Sequence, residues 1–197
     1  KEILKLGSKF MIIQLALMFI FTSDNYIISN NFSPKDVVPY DTVNKIFQLP
    51  ILILFATLSP LWSMFAKDFI DKNHTKLLTT FKKFNLYFIG IFFFIIGIAA
   101  FCPFLISIWI KEKLEIPNHL ILYIGIATSL RIFVTFYTFF LSGIGKLNKY
   151  ILILLISVIL KIPLTYYLIH LDFGINSVVV STLILMLLWV GFIPHEC

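Results

Sequence analysis

Charge is scarce in this 197-residue chain: Asp, Glu, Lys and Arg make up only 13% of it, about half the share of an ordinary soluble domain. A chain this poor in charge is excluded from the usual cytoplasmic globular class. Cysteine is scarcer still, with Cys102 inside an apolar run and Cys197 at the last position, so neither a disulfide framework nor a paired-cysteine metal knuckle is available. No polar run is longer than a short loop, which excludes a disordered, collagen-like or solvated coiled-coil chain.

What fills the sequence is hydrocarbon: 59% of the residues are hydrophobic and 22 are Phe. A helix crossing about 30 Å of lipid needs roughly 20 mostly apolar residues. Six stretches meet or approach that length, at about 10–29, 42–65, 84–110, 119–141, 150–170 and 174–193. Runs this apolar do not read as barrel strands, whose spans are about ten residues of alternating polarity. The expected fold is therefore all-α, with about six transmembrane helices.

The formal charge of +6 comes from basic residues scattered in short loops, a pattern that orients membrane helices rather than one that binds nucleic acid. Ten lysines (Lys1, Lys5, Lys9, Lys67, Lys72, Lys76, Lys82, Lys83, Lys146 and Lys149) fall on one side, and three (Lys35, Lys111 and Lys113) on the other. That imbalance predicts both termini in the cytoplasm. The connection 66–83 carries Phe69, Ile70, Leu77, Leu78 and Phe81 among its charges and is expected to form a helix lying on the inner surface. Trp109 and Tyr123 at outer ends, with Trp62 and Tyr150 at inner ends, are expected to form interfacial belts.

Ionisable residues within spans are costly in lipid and mark functional sites by default. Arg131 in the fourth span and Lys161 in the fifth are expected to share the midplane. Positions three or four apart share a helix face. Thr128, Arg131, Thr135, Thr138 and Ser142 form one such stripe, and Ser157, Lys161 and Thr165 another, so both are expected to line one lumen. Pro163, just beyond Lys161, is expected to kink the fifth span there. The third span has polar residues only near its ends, at Asn85 and Ser107, and is assigned to the lipid side. Asp24 and Asn25 interrupt the first span, and Lys45 enters the second at comparable depth. Asp24 and Lys45 read either as an ion pair holding two helices together or as cavity-lining groups. Gln14, Gln48, Ser59 and Ser63 either join the same interior or act as packing contacts between helices.

Familiar catalytic patterns are missing. His74, His119, His170 and His195 fall at span ends or in loops, without the spacing of a zinc site. Gly143-Ile144-Gly145-Lys146 lacks the preceding strand of a phosphate loop, and Phe140 stands where its first glycine belongs, so it reads as a tight turn between helices. No cofactor or metal is expected.

Several segments, taken in order, carry a resemblance. They are Thr22-Ser23-Asp24-Asn25-Tyr26-Ile27-Ile28-Ser29, Val37-Val38-Pro39-Tyr40, Asn44-Lys45-Ile46-Phe47 and Leu58-Ser59-Pro60-Leu61-Trp62, then Leu141 to Lys146 followed by Asn148, and Ile162-Pro163-Leu164. Together they resemble the Wzx-like O-antigen and polysaccharide flippases, a branch of the superfamily that includes the multidrug and toxic-compound extruders. The resemblance implies one lobe, the C-terminal one, of a two-lobed MATE-like transporter in the bacterial inner membrane, with the N-terminal lobe missing from this chain. It also implies a cargo, an oligosaccharide carried on undecaprenyl pyrophosphate, and as companions membrane lipids, a glycan polymerase and a chain-length regulator. A pyrophosphate in a low-dielectric lumen requires positive charge. On that basis Arg131, Lys161, Lys45, Asn25, Thr135 and Ser157 are the expected cargo contacts, and Asp24 is expected to act in ion coupling or as a structural ion pair. Two alternatives remain open: a cation-coupled drug extruder of the same superfamily, and a membrane-embedded glycan polymerase or acyltransferase using His119 or His170.

Overall fold

The computed structural model describes residues 2–110, 114 and 116–196, without the side chains of residues 2, 3, 5 and 196. Lys1, Lys111, Lys113, Cys197 and the side chain of Lys5, all considered above, lie outside the described residues.

Among the described residues there are six α-helices: α1 (Glu2–Asn31), α2 (Val37–Ile70), α3 (His74–Trp109), α4 (Asn118–Gly143), α5 (Asn148–His170) and α6 (Asn176–Phe192). Short 3-10 turns follow α1 and α6, at Pro34–Asp36 and Pro194–Glu196, and no strand is present among the described residues. The first five helices are long and apolar enough to cross a bilayer. The sixth is apolar but has 17 residues, about 25 Å at the helical rise of ~1.5 Å per residue. The chain is an all-α, multi-pass membrane protein.

Helices dominate because hydrocarbon offers no partner to backbone N–H and C=O groups, and only a helix satisfies them within one segment. Pro50, Pro60, Pro103 and Pro163 all sit inside continuous helices. Pro39 sits in the first turn of α2, where its missing N–H forfeits no intrahelical bond. Among the described residues, the breaks after α2, α4 and α5 fall where the chain turns left-handed. Gly145 (φ 74°) lies between α4 and α5, Asp172 (φ 59°) and Gly174 (φ 55°) between α5 and α6.

The connection after the second span differs from expectation. No separate surface helix forms, because α2 runs on to Ile70 and α3 already begins at His74. Only Asp71, Lys72 (φ 53°) and Asn73 intervene, and Asn73 Oδ1 caps α3 by accepting from the Lys76 backbone N–H at 3.3 Å. Phe81, expected on the membrane surface, instead packs within 5.0–6.2 Å, ring to ring, of Phe65, Phe136 and Phe140.

Helix α4 is the hub, packed against α2 on one side and α6 on another, while α5 bridges α6 and α1. In its most apolar stretch 61% of α4 is buried, against 17% for α3, which packs on α2 and α4 and leaves the rest of its surface for lipid. Phe84 and Phe136 stack face to face at 3.6 Å where α3 meets α4. Gly143 lets α4 touch α2: a Cβ there would lie 3.0 Å from the Trp62 carbonyl oxygen. These contacts fix the α2–α4 wall of the cavity described next.

Candidate functional site

Near the end of the helices opposite the lysines, Asp24 of α1 and Lys161 of α5 form an ion pair at 2.7 Å, with side chains 3% and 0% exposed. The ammonium donates to the Val178 carbonyl (2.8 Å), Ser181 Oγ (3.0 Å) and Thr182 Oγ1 (2.6 Å), all on α6. An ammonium has three protons, so α6 supplies an acceptor for each and Asp24 supplies the countercharge. The other Asp24 oxygen accepts from the Tyr40 hydroxyl of α2 at 2.7 Å. One buried cation–anion pair thus ties four helices together.

This geometry corrects two expectations. Asp24 pairs with Lys161, not Lys45. Lys45 is 56% exposed and pairs with Asp41 one helical turn away, at 2.7 Å. Finally, the stripe of Ser157, Lys161 and Thr165 faces α6 rather than an open lumen. Ser157 Oγ accepts from Trp189 Nε1 at 2.7 Å, and Thr165 Oγ1 lies 2.7 Å from Ser181 Oγ. Helix α5 continues through Pro163 without a break in its helical assignment.

The other expected cation has a different setting. Arg131 stands at the head of a cavity of about 420 Å³ that runs towards the lysine-rich end. Its guanidinium lies 4.0 Å over the Phe21 ring and makes no ion pair among the described residues. Thr135, Thr138 and Ser142 continue its stripe down the cavity wall, and Gln14 faces them from α1. Thr135 donates to the Arg131 carbonyl at 2.7 Å and Thr138 to the Thr135 carbonyl at 2.9 Å, so each hydroxyl proton is committed to the helix, and the Thr138 side chain is also hydrogen-bonded to Tyr150. The remaining wall is largely aromatic, with Phe10, Phe55, Trp62, Phe139, Tyr150 and Trp189. Chemically, the cavity offers one uncompensated charge, several acceptors and flat apolar surfaces.

Other expected residues lie elsewhere. Asn25 is half-buried, lines neither this cavity nor the small void beyond it, and its Oδ1 has no hydrogen-bond partner among the described residues. Gln48, Ser59 and Ser63 are exposed on α2. Tyr150, expected in an interfacial belt, is 6% exposed and lines the cavity; Trp62 lines the cavity too but is 41% exposed, which leaves its belt expectation standing.

Sequence reasoning missed Tyr40, Phe21, Trp189 and the α6 acceptors Ser181 and Thr182. A signal for the last two was present. Ser177 and Ser181 lie four apart within the sixth span, with Thr182 next to the second, a polar cluster that needed a polar partner in lipid. Among the described residues no group of His, Cys, Asp and Glu is placed to hold a metal ion.

Compared with known proteins, the chain matches no protein-family model, no curated protein and no solved structure.

Proposed function

We propose that the chain flips an anionic, lipid-linked oligosaccharide across the bacterial inner membrane, and that Arg131 is the group that receives the cargo's pyrophosphate. The observation that carries this reading is the contrast between the two intramembrane cations. Lys161 is neutralised by Asp24, whereas Arg131 faces a cavity with no carboxylate against it. In a medium of low dielectric an uncompensated guanidinium attracts an anion strongly, and its planar fork suits phosphate oxygens. The acceptor oxygens of Thr135 and Ser142 suit sugar hydroxyls, and Trp62 and Trp189 offer faces on which sugar rings stack.

In this reading the chain is one lobe of a two-lobed, MATE-like transporter that works by alternating access, with its lysine-rich end in the cytoplasm. Lys161 and Asp24 then hold the lobe together rather than touch cargo, and Lys45 stays outside the path. A drug extruder for cationic compounds fits less well, because the charged side chain in the cavity wall is itself a cation.

The test is glycan export in the cells that make the protein. Arg131→Ala is expected to abolish surface glycan and to leave the lipid-linked intermediate on the cytoplasmic leaflet, while Lys45→Ala exports normally. Unaltered export by an inserted Arg131→Ala protein refutes the assignment, and altered drug accumulation in its place favours the extruder.

A further inference from the structure

Beyond Arg131 lies a second, much smaller void of about 40 Å³, reaching Asp24, Tyr40, Asn44 and Thr182. Each water needs roughly 10–15 Å³, so it has room for only a few waters and none for a sugar or a phosphate group. Among the described residues, Phe21 and Arg131 alone line both spaces. They are also in contact with each other, the guanidinium lying 4.0 Å over the ring. The partition between the large cavity and the buried ion pair is therefore one aromatic ring and one cation, from helices α1 and α4.

We propose that the Phe21–Arg131 stack is the closed barrier of the transport path, and that an anion arriving in the cavity opens it by drawing the guanidinium off the ring. The ring face and a phosphate compete for the same cation, and the phosphate, carrying full charge, wins. Closure and cargo recognition then share one side chain, so the path opens only when it is loaded. On the far side the newly opened space meets Asn44, with Tyr40 and the ion pair buried behind it. The purpose assigned to the barrier rests on the transport reading. The barrier itself is measurable without cargo, so the two fail separately.

The experiment uses the full chain with Cys102 and Cys197 replaced by Ser, in sealed vesicles whose lysine-rich face meets a membrane-impermeant maleimide. Ser142→Cys, on the cavity wall at that end, is expected to label rapidly, and Asn44→Cys, beyond the stack, slowly. Adding Phe21→Ala to Asn44→Cys is expected to raise its labelling about tenfold, the change that loss of ~1.4 kcal/mol of barrier contacts gives. Phe21→Leu, which keeps apolar bulk but not the ring, is expected to act in the same direction, and Phe21→Tyr to leave the site protected. The proposal is overturned if Asn44→Cys labels as fast as Ser142→Cys in the parent, or if the inserted Phe21→Ala and Phe21→Leu proteins both leave its labelling unchanged.

Discussion

The carboxylate of Asp24 stands 2.7 Å from the ammonium of Lys161, across the α1–α5 contact, and both side chains are withdrawn almost completely from the surface. Removing either partner strands a charge in the interior, which costs about 3–5 kcal/mol, whereas removing both leaves a neutral site that packs. Asp24→Asn and Lys161→Met are each expected to lower the unfolding midpoint in detergent sharply. The double variant is expected to recover most of the loss. A double variant destabilised by the sum of the two single losses contradicts the pairing.

Thr182 accepts from Lys161 at 2.6 Å and donates to the Val178 carbonyl at 3.0 Å. Thr182→Val keeps the shape and removes both bonds, and is expected to cost about 1–3 kcal/mol, the penalty for leaving a buried donor unmet. Thr79→Val, at an exposed site on α3, is the comparison and is expected to stay near neutral. Thermal unfolding of the two side by side checks this.

Gly143 faces the backbone of α2, where an added methyl would meet the Trp62 carbonyl oxygen at 3.0 Å and its indole Cδ1 at 3.1 Å. A backbone neighbour yields little, so Gly143→Ala is expected to destabilise by about 1–3 kcal/mol. Tryptophan fluorescence is expected to shift as Trp62 moves in the cavity wall. Gly97→Ala meets no heavy atom within 4 Å and is expected to be neutral or mildly stabilising.

Lys45 and Asp41 are one turn apart on α2, and the lysine side chain is 56% exposed. Such a pair is worth about 0.3–0.5 kcal/mol. Lys45→Ala is expected to leave both the unfolding midpoint and glycan export unchanged, and a large effect on either contradicts the assignment of Lys45 to the outside of the path.

Hydropathy made the helices legible because the same lipid that demands apolar side chains also demands internally bonded backbone. It read their middles better than their ends. The second span was expected at 42–65, and α2 extends over Val37–Ile70, because a helix does not stop where the hydrocarbon does. The expected surface helix at 66–83 failed for that reason: its apolar residues belong to the continuations of α2 and α3, and Phe81 packs inside. Arg131 and its stripe were legible from spacing on a single helix, and the structure brings Thr135, Thr138 and Ser142 to the same wall. The partner of Asp24 was not, since three cations, Lys45, Arg131 and Lys161, were available within the spans and only the packing of α1 against α5 and α6 selects Lys161. Local spacing did hold a clue against Lys45, which has Asp41 four residues before it. Tyr150 misled in the opposite sense: a Tyr near a span end fits an interfacial belt, yet this one is buried in the cavity wall, whereas Trp62 lines the cavity and keeps 41% of its surface exposed.

The most direct test of the central claim is the affinity of the purified protein for undecaprenyl-pyrophosphate-linked oligosaccharide, measured for the parent, Arg131→Ala and Lys45→Ala at one salt concentration. Loss of a charged hydrogen-bonding partner costs about 1.5–3 kcal/mol, so Arg131→Ala is expected to raise Kd roughly tenfold to a hundredfold while Lys45→Ala leaves it unchanged. Equal binding by the parent and a fully folded Arg131→Ala protein would contradict the account.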